Sequence, residues 1–256
     1  MRATHVVNIA QGEAFRAVKA INPKFDVGSA FSMANCEPNT SREADKAAAE
    51  RAHALSNIWF IEPALKGAYP KAFLGENPYD VMGGQPGDMD RCRAPLDFLG
   101  INYYRRQIVA ANPNAINGTG VNSWDAHDGP LTDFAWEVWP DSFHDIVLRI
   151  SKDYKLPIEI MENGCSYLDS PDERGRIPDQ RRIDFIRSYL SALGRAISDG
   201  ANVCSYHHWS LLDNFEWGAG YTQRFGLVYV DFRSLKRTIK DSGQWYAEVA
   251  NTGKLT

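Results

Sequence analysis

Four short apolar segments alternate with helix-length segments along this chain, and that alternation restricts the fold more than any other feature of the sequence. The strand-like segments are "FDVGSAFSM" (25–33), "DFLGINYY" (97–104), "LPIEIMEN" (156–163) and "ANVCSYHHWS" (201–210). Residues 2–21 precede the first, with Val7, Ala10, Ala14, Ala17 and Ile21 at spacings of three and four. That spacing predicts an amphipathic helix whose apolar stripe faces a core. Residues 41–60 predict a second helix capped by Ser41. A third lies near 142–154, with Phe143, Ile146, Val147, Ile150 and Tyr154 on one side. The fourth spans 180–200, with Ile183, Ile186, Leu190, Leu193 and Ile197 aligned and Gly200 as its stop. A last helix is expected near 237–250. The Gly- and Pro-rich passage from Gly67 to Pro95 and the polar stretch 111–133 read as long loops.

Strict helix–strand alternation argues for parallel strands with helices packed outside. In such folds the site lies at the C-terminal ends of the strands. Glu37, Asn102 to Tyr104, Glu162 and Trp209 to Trp217 all fall at such ends. A chain of 256 residues has the length of a full eight-stranded barrel, yet four strands are legible. An open four-stranded sheet bent like a barrel segment leaves two edges and much of its interior uncovered.

Composition excludes several classes. A net charge of −4 provides no basic surface for nucleic acid or anionic lipid. No run is long enough to span a membrane. The first residues lack the apolar core of a signal peptide, so the cytoplasm is the expected location. Cys36, Cys92, Cys165 and Cys204 stand far apart, without a disulfide framework or a CxxC pair. His207 and His208 are adjacent on a strand and point to opposite faces. Neither a metal nor another cofactor is expected. A sequon at Asn117-Gly118-Thr119 carries little weight without a secretion signal. Seven Trp and eleven Tyr supply flat rings that suit a sugar-binding cleft and an aromatic core equally.

The most informative single residue is Glu162. A carboxylate at the C-terminal lip of a buried strand is costly unless it is used. If the use is glycoside chemistry, a second carboxyl group must face it.

"DFLGINYY", "IMENG" and "WSLLDNFEWGAGYTQRFGL", in this order and spacing, resemble the family 1 glycoside hydrolases, the β-glucosidases and β-galactosidases of (β/α)8 barrel fold. The resemblance covers essentially the whole chain. It implies one partial α/β TIM-barrel domain over residues 1–256, about strands five to eight with their helices, the N-terminal strands one to four being absent. By position, Glu162 resembles the nucleophile, with Met161 before it where the family usually has Thr. Tyr104 resembles the tyrosine that hydrogen-bonds that nucleophile, and Asn102 an asparagine near the sugar 2-hydroxyl. Trp209 resembles the floor of the sugar pocket, Glu216 and Trp217 the pair that binds the far hydroxyls, and Phe225 part of the wall. Glu216 would repel a 6-phosphate, which favours a neutral glucoside or galactoside. Trp136 or Trp139 would line the aglycone side or belong to the core.

In the family the acid/base stands in an Asn-Glu-Pro motif at the end of the fourth strand, and by register this sequence starts after it. "NCEP" (Asn35 to Pro38) is one strand late, and Glu37 reads as a surface residue where a loop begins. The resemblance therefore implies a retaining β-glycosidase acting by double displacement on a small-molecule β-glycoside. Its nucleophile is present and its acid/base lost with the N-terminal half. The alternative is an inactive or sugar-binding half-barrel that needs a second chain. The sequence is then either a fragment of a full-length enzyme or a half-barrel completed by a complementary N-terminal half-barrel or by self-association, which would bring two nucleophiles and no acid/base.

Overall fold

A computed structural model describes residues 2–115 and 118–255; Asn117 of the sequon lies outside them. The chain runs α1 (Arg2–Ile21), β1 (Ser29–Pro38), α2 (Glu43–Ser56), α3 (Glu62–Lys66), α4 (Pro78–Met82), α5 (Asp88–Cys92) and β2 (Leu99–Ala111). It continues through β3 (Val121–Asp125), α6 (Pro140–Tyr154), β4 (Ile158–Asn163), α7 (Gln180–Ser198) and β5 (Val203–His208). The small strands β6 (Val228–Val230) and β7 (Arg237–Ile239) and the helix α8 (Asp241–Thr252) complete it.

The main sheet has the order β1-β2-β4-β5, and these four strands are parallel. The apolar outward faces of β2 and β4 (Leu99, Ile101, Tyr103, Ile158, Ile160) meet Phe143, Ile146, Val147 and Ile150 of α6 and Phe185, Ile186 and Tyr189 of α7 in one core. Each such side chain contributes about 1.5–3 kcal/mol by leaving water, so this layer fixes the sheet. The stripe expected on α6 is buried, Tyr154 partly, and that of α7 is buried at Ile183, Ile186 and Leu193, half-buried at Leu190 and exposed at Ile197.

Several elements depart from the sequence reading. On α1 the stripe of Val7, Ala10, Ala14, Ala17 and Ile21 lies on the exposed side, and the helix buries His5, Asn8, Gly12 and Phe15 instead. Polar bonding decides this. The His5 ring bridges Tyr69 Oη (2.9 Å) and Asp88 Oδ2 (3.0 Å), and Asn8 donates to the Trp59 carbonyl (3.2 Å). A methyl group on Gly12 would collide with the Arg91 carbonyl, so only glycine lets the helix sit this close. Ser41 caps nothing; the residue before α2 is Arg42, without a side-chain cap bond. The stretch 111–133 is not all loop, because β3 pairs antiparallel with the second half of β2, from Gln107↔Asp125 to Ala111↔Val121. Arg237 to Ile239 form a strand, and the last helix begins after them.

Two register shifts matter for the site. Ile101 pairs with Ile160 but Asn102 with Glu162, so β4 holds one extra residue, Met161. Met33 pairs with Tyr103 but Asn35 with Arg106, so β2 holds one extra residue opposite Ala34. Bulges of this kind re-aim side chains.

Candidate active site

Strand alternation alone would send Glu162 to the helix side with Ile158 and Ile160. The extra residue at Met161 turns it over, and Glu162 lines a cleft of about 910 Å³ at the C-terminal ends of the strands. The Met161 side chain lies over Gly100, where a β-carbon would press on it. Tyr104, before the bulge of β2, reaches the same cleft and donates from its hydroxyl to Glu162 Oε2 at 2.6 Å. Burial, and then the Glu162 carboxylate itself, push the tyrosine pKa well above its ordinary value. Tyr104 thus remains a donor, and a donor at this distance favours the ionised carboxylate. Asn102 lines the cleft as well, and its Oδ1 is buried with no hydrogen-bond partner. An acceptor left in that state suits a ligand hydroxyl.

The end of β4 is held from both sides by Asn163, which is fully buried. Its Nδ2 donates to the Tyr103 carbonyl (2.8 Å), its Oδ1 accepts from Tyr206 Oη (2.9 Å), and its carbonyl accepts from Trp209 N–H (2.9 Å). One side chain thereby joins β2, β4 and β5 next to Glu162. Gly164 follows, and a methyl there would strike the Trp209 carbonyl. Trp209 lines the same cleft as Glu162. The peptide between Trp209 and Ser210 is cis.

Asp213 organises the loop that follows. It accepts from Gly226 N–H (3.0 Å), Lys240 Nζ (3.1 Å) and Arg224 Nη1 (2.6 Å), and its side chain is fully buried. Lys240 also bonds Asp169, which pairs with Arg182, and Arg182 bonds Asp179. Three cations and three carboxylates balance in this network, as buried charges require. It anchors the loop carrying Trp209, Glu216, Trp217 and Phe225, all four of which line the cleft. Burial first, and then the nearby Glu162 charge, raise the Glu216 pKa above its usual value, while a hydrogen bond from the Trp209 side chain opposes them. Trp217 is 81% exposed, whereas Phe225 is buried against Tyr104, Trp136 and Phe134.

All seven residues singled out in the sequence therefore border one cleft. Trp136 joins them, and Trp139 does not: its ring stacks on Arg106 at 4.1 Å. Glu37 is neither a loop residue nor part of the cleft. It lies within β1 and binds Arg106 (2.6 Å) and the Ser142 hydroxyl. Glu162 and Glu216 are the only carboxylates lining the cleft among the described residues.

A carboxylate held by a phenol, beside an indole and a second acid in an open cleft, is equipped to bind a pyranose and attack its anomeric carbon. The family model described as Glycosyl hydrolase family 1 matches residues 1–255. The chain belongs to glycosyl hydrolase family 1. Beta-glucosidase A of Acetivibrio thermocellus is 34% identical over 254 residues, covering 97% of this chain and 56% of the relative. Beta-glucosidase of an Agrobacterium species is 35% identical, covering 98% of this chain and 55% of the relative. Among solved structures, the family 1 β-glucosidase of Thermotoga maritima superposes with a TM-score of 0.88 at 33% identity, over 97% of this chain and 56% of that one. Its complex with deoxynojirimycin matches equally well. This family member thus takes an α/β fold of the TIM type and spans about the C-terminal 56% of such relatives.

Sequence reasoning passed over Asn163, Asp213, Arg106 and Glu137. Asn163 stands in an Asn-Gly pair, which by itself reads as a turn. The signal for Asp213 and Glu137 was present: each is an acid inside an aromatic, apolar run, "WSLLDNF" and "AWEVWP".

Proposed function

We propose that this chain carries the nucleophile half of a retaining β-glycosidase acting on neutral β-D-glucosides or β-D-galactosides. The observation that carries the reading is the 2.6 Å bond from the Tyr104 hydroxyl to Glu162 within the cleft. In the first displacement Glu162 attacks the anomeric carbon, and the glycosidic oxygen leaves with its bonding electrons and takes up a proton. In the second, water attacks the same carbon, gives up a proton and releases Glu162. Trp209 stacks on the sugar face, Asn102 meets the 2-hydroxyl, Glu216 and Trp217 bind the far hydroxyls, and Phe225 closes the wall. Trp136 serves the leaving-group side.

The proton donor is a separate carboxyl group, about 5–5.5 Å from the nucleophile in a retaining enzyme. We assign neither Glu216, which binds sugar in this reading, nor Glu37, held by Arg106 outside the cleft. The reading is that residues 1–256 form one domain corresponding to strands five to eight of the barrel. The acid then comes from a segment corresponding to strands one to four, on this polypeptide or on a second one, lying alongside β1, and the cytoplasm is the proposed location.

Incubation with a 2-fluoro-glucoside bearing a dinitrophenolate leaving group tests the nucleophile, because that group departs with little help from an acid. A glycosyl adduct mapped to Glu162 is the expected result, and the intact mass reports any co-purified partner. No adduct on the bare chain, with sugar binding retained, would favour a sugar-binding half-barrel.

A further inference from the structure

Arg106 lies outside the cleft, yet its bonding pattern reaches into it. The bulge of β2 leaves the consecutive residues Tyr104 and Arg105 both on the cleft side and puts Arg106 behind the strand. Arg105 lines the cleft and sits over the Trp136 ring at 5.3 Å, whereas Arg106 is buried behind the strand. Arg106 makes a two-pronged bond to Glu137, from Nε to Oε2 at 2.7 Å and from Nη2 to Oε1 at 3.1 Å. Glu137 Oε1 also accepts the backbone N–H groups of Asp128 and Gly129, each at 2.7 Å. Burial would raise the pKa of Glu137, but the Arg106 bonds and these amides outweigh it and keep the carboxylate ionised.

Trp136 precedes Glu137 directly. Its ring packs on Tyr104 at 5.0 Å and on Phe225 at 5.7 Å between centroids. The ring of Tyr104 is what carries the hydroxyl bonded to Glu162. A continuous set of contacts therefore leads from Arg106 through Glu137 and Trp136 to Tyr104.

We infer that Arg106 and Glu137 are positioning residues for the cleft: their paired bond sets the Trp136 indole against Tyr104 and so fixes the phenol over Glu162. The inference rests on the reading of Tyr104 and Glu162 as the reacting pair. Bidentate geometry suits the task, because two parallel bonds fix orientation as well as distance. Glu37 and Asp128 complete the guanidinium's partners at 2.6 and 2.9 Å. Asp128, with a side chain 71% exposed, adds little.

The test uses the full chain labelled with 5-fluorotryptophan, whose seven resonances are assigned by single Trp→Phe substitutions. In Glu137→Gln and Arg106→Met the Trp136 resonance is expected to move by more than its linewidth. Trp139 moves with it because it stacks on the guanidinium, while the other five stay in place and report an intact fold. Labelling of Glu162 by the 2-fluoro-glucoside is expected to slow by about 10- to 100-fold, as for a small misplacement of a reacting group. The Arg106→Met/Trp136→Ala double variant should then label no more slowly than Trp136→Ala, since the two act in series. Asp128→Asn should stay within about twofold.

An unmoved Trp136 resonance in both variants would overturn the inference, as would multiplicative rate losses in the double variant. Failure of the unaltered chain to label would count against the proposed activity, and the fluorine spectra would still decide whether the pair positions Trp136. If Arg106→Met does not fold, the nearly isosteric Glu137→Gln carries both readouts.

Discussion

The seam between β2 and β4 and the first half of β1 border the same cleft and are held to different degrees. At the seam, Asn163 bonds three strands, Tyr104 bonds Glu162, and Asp213 ties the following loop to Lys240 and Arg224. Along β1 the cleft is lined by Ala30 and Ser32, both exposed, and by Val7 of α1, which is 54% exposed. Among the described residues β1 pairs only with β2. The difference shows where rigidity comes from. The nucleophile side is fixed throughout by buried polar bonds within this chain; on β1 such bonds hold Ala34, through the Asn57 side chain (2.9 and 2.8 Å), and Glu37, while the stretch at Ala30 and Ser32 leaves a backbone edge to whatever lies against it.

The strongest way to break that contrast is to remove the tether of the seam. Asp213→Ala leaves Arg224 without its buried carboxylate and Lys240 with Asp169 alone, and a loss of about 3–5 kcal/mol is expected in urea unfolding. A loss under 1 kcal/mol would mean that the network does not hold the loop. Tyr104→Phe removes a hydrogen bond to a charged group, worth about 1.5–3 kcal/mol, so Glu162 labelling should slow by roughly 10- to 150-fold while the melting temperature changes little. Gly164→Ala forces Trp209 away from β4; overpacking of this kind costs about 1–3 kcal/mol, and a fluorescence shift of Trp209 should accompany it.

Away from the cleft, His144 joins Asp145 and Asp199 across the α6–α7 contact, each at 2.8 Å. The hydrogen bonds to Asp145 and then Asp199 raise its pKa above 6.5. Its contribution to stability is therefore full below pH 6.5 and is lost as pH climbs through the raised folded-state value. His144→Asn should destabilise at pH 5.5 and be nearly neutral at pH 9; equal effects at both would remove the charge from the explanation. The smallest effect is expected on the β1 flank. Val7→Lys should change the stability of the chain by less than about 0.5 kcal/mol, and a larger loss would show that this flank is packed after all.

Comparing particular elements shows what was legible in advance. The α6 stripe could be read from spacing because one apolar face meets one sheet, and the parallel direction of the four strands followed from their alternation with helices. The α1 stripe misled for a physical reason. Alanine and valine at helical spacing are compatible with exposure, and the buried side was chosen by His5, Asn8 and Gly12 finding partners distant in sequence. Likewise β3 forms from a stretch rich in turn residues because the outer half of β2 offers it a partner.

By itself, the sequence determined the four parallel strands and the long helices, the placing of Glu162 and Trp209 at strand ends with Glu216 in the loop that follows, and the family motifs, since these are local patterns of spacing and residue type. Only the tertiary structure decided which way those side chains face. Alternation would have hidden Glu162 behind the sheet, and a single extra residue at Met161, registered against Ile101 and Asn102 of β2, turned it into the cleft. Register is a property of two strands pairing under a shared core, and no reading of one strand contains it.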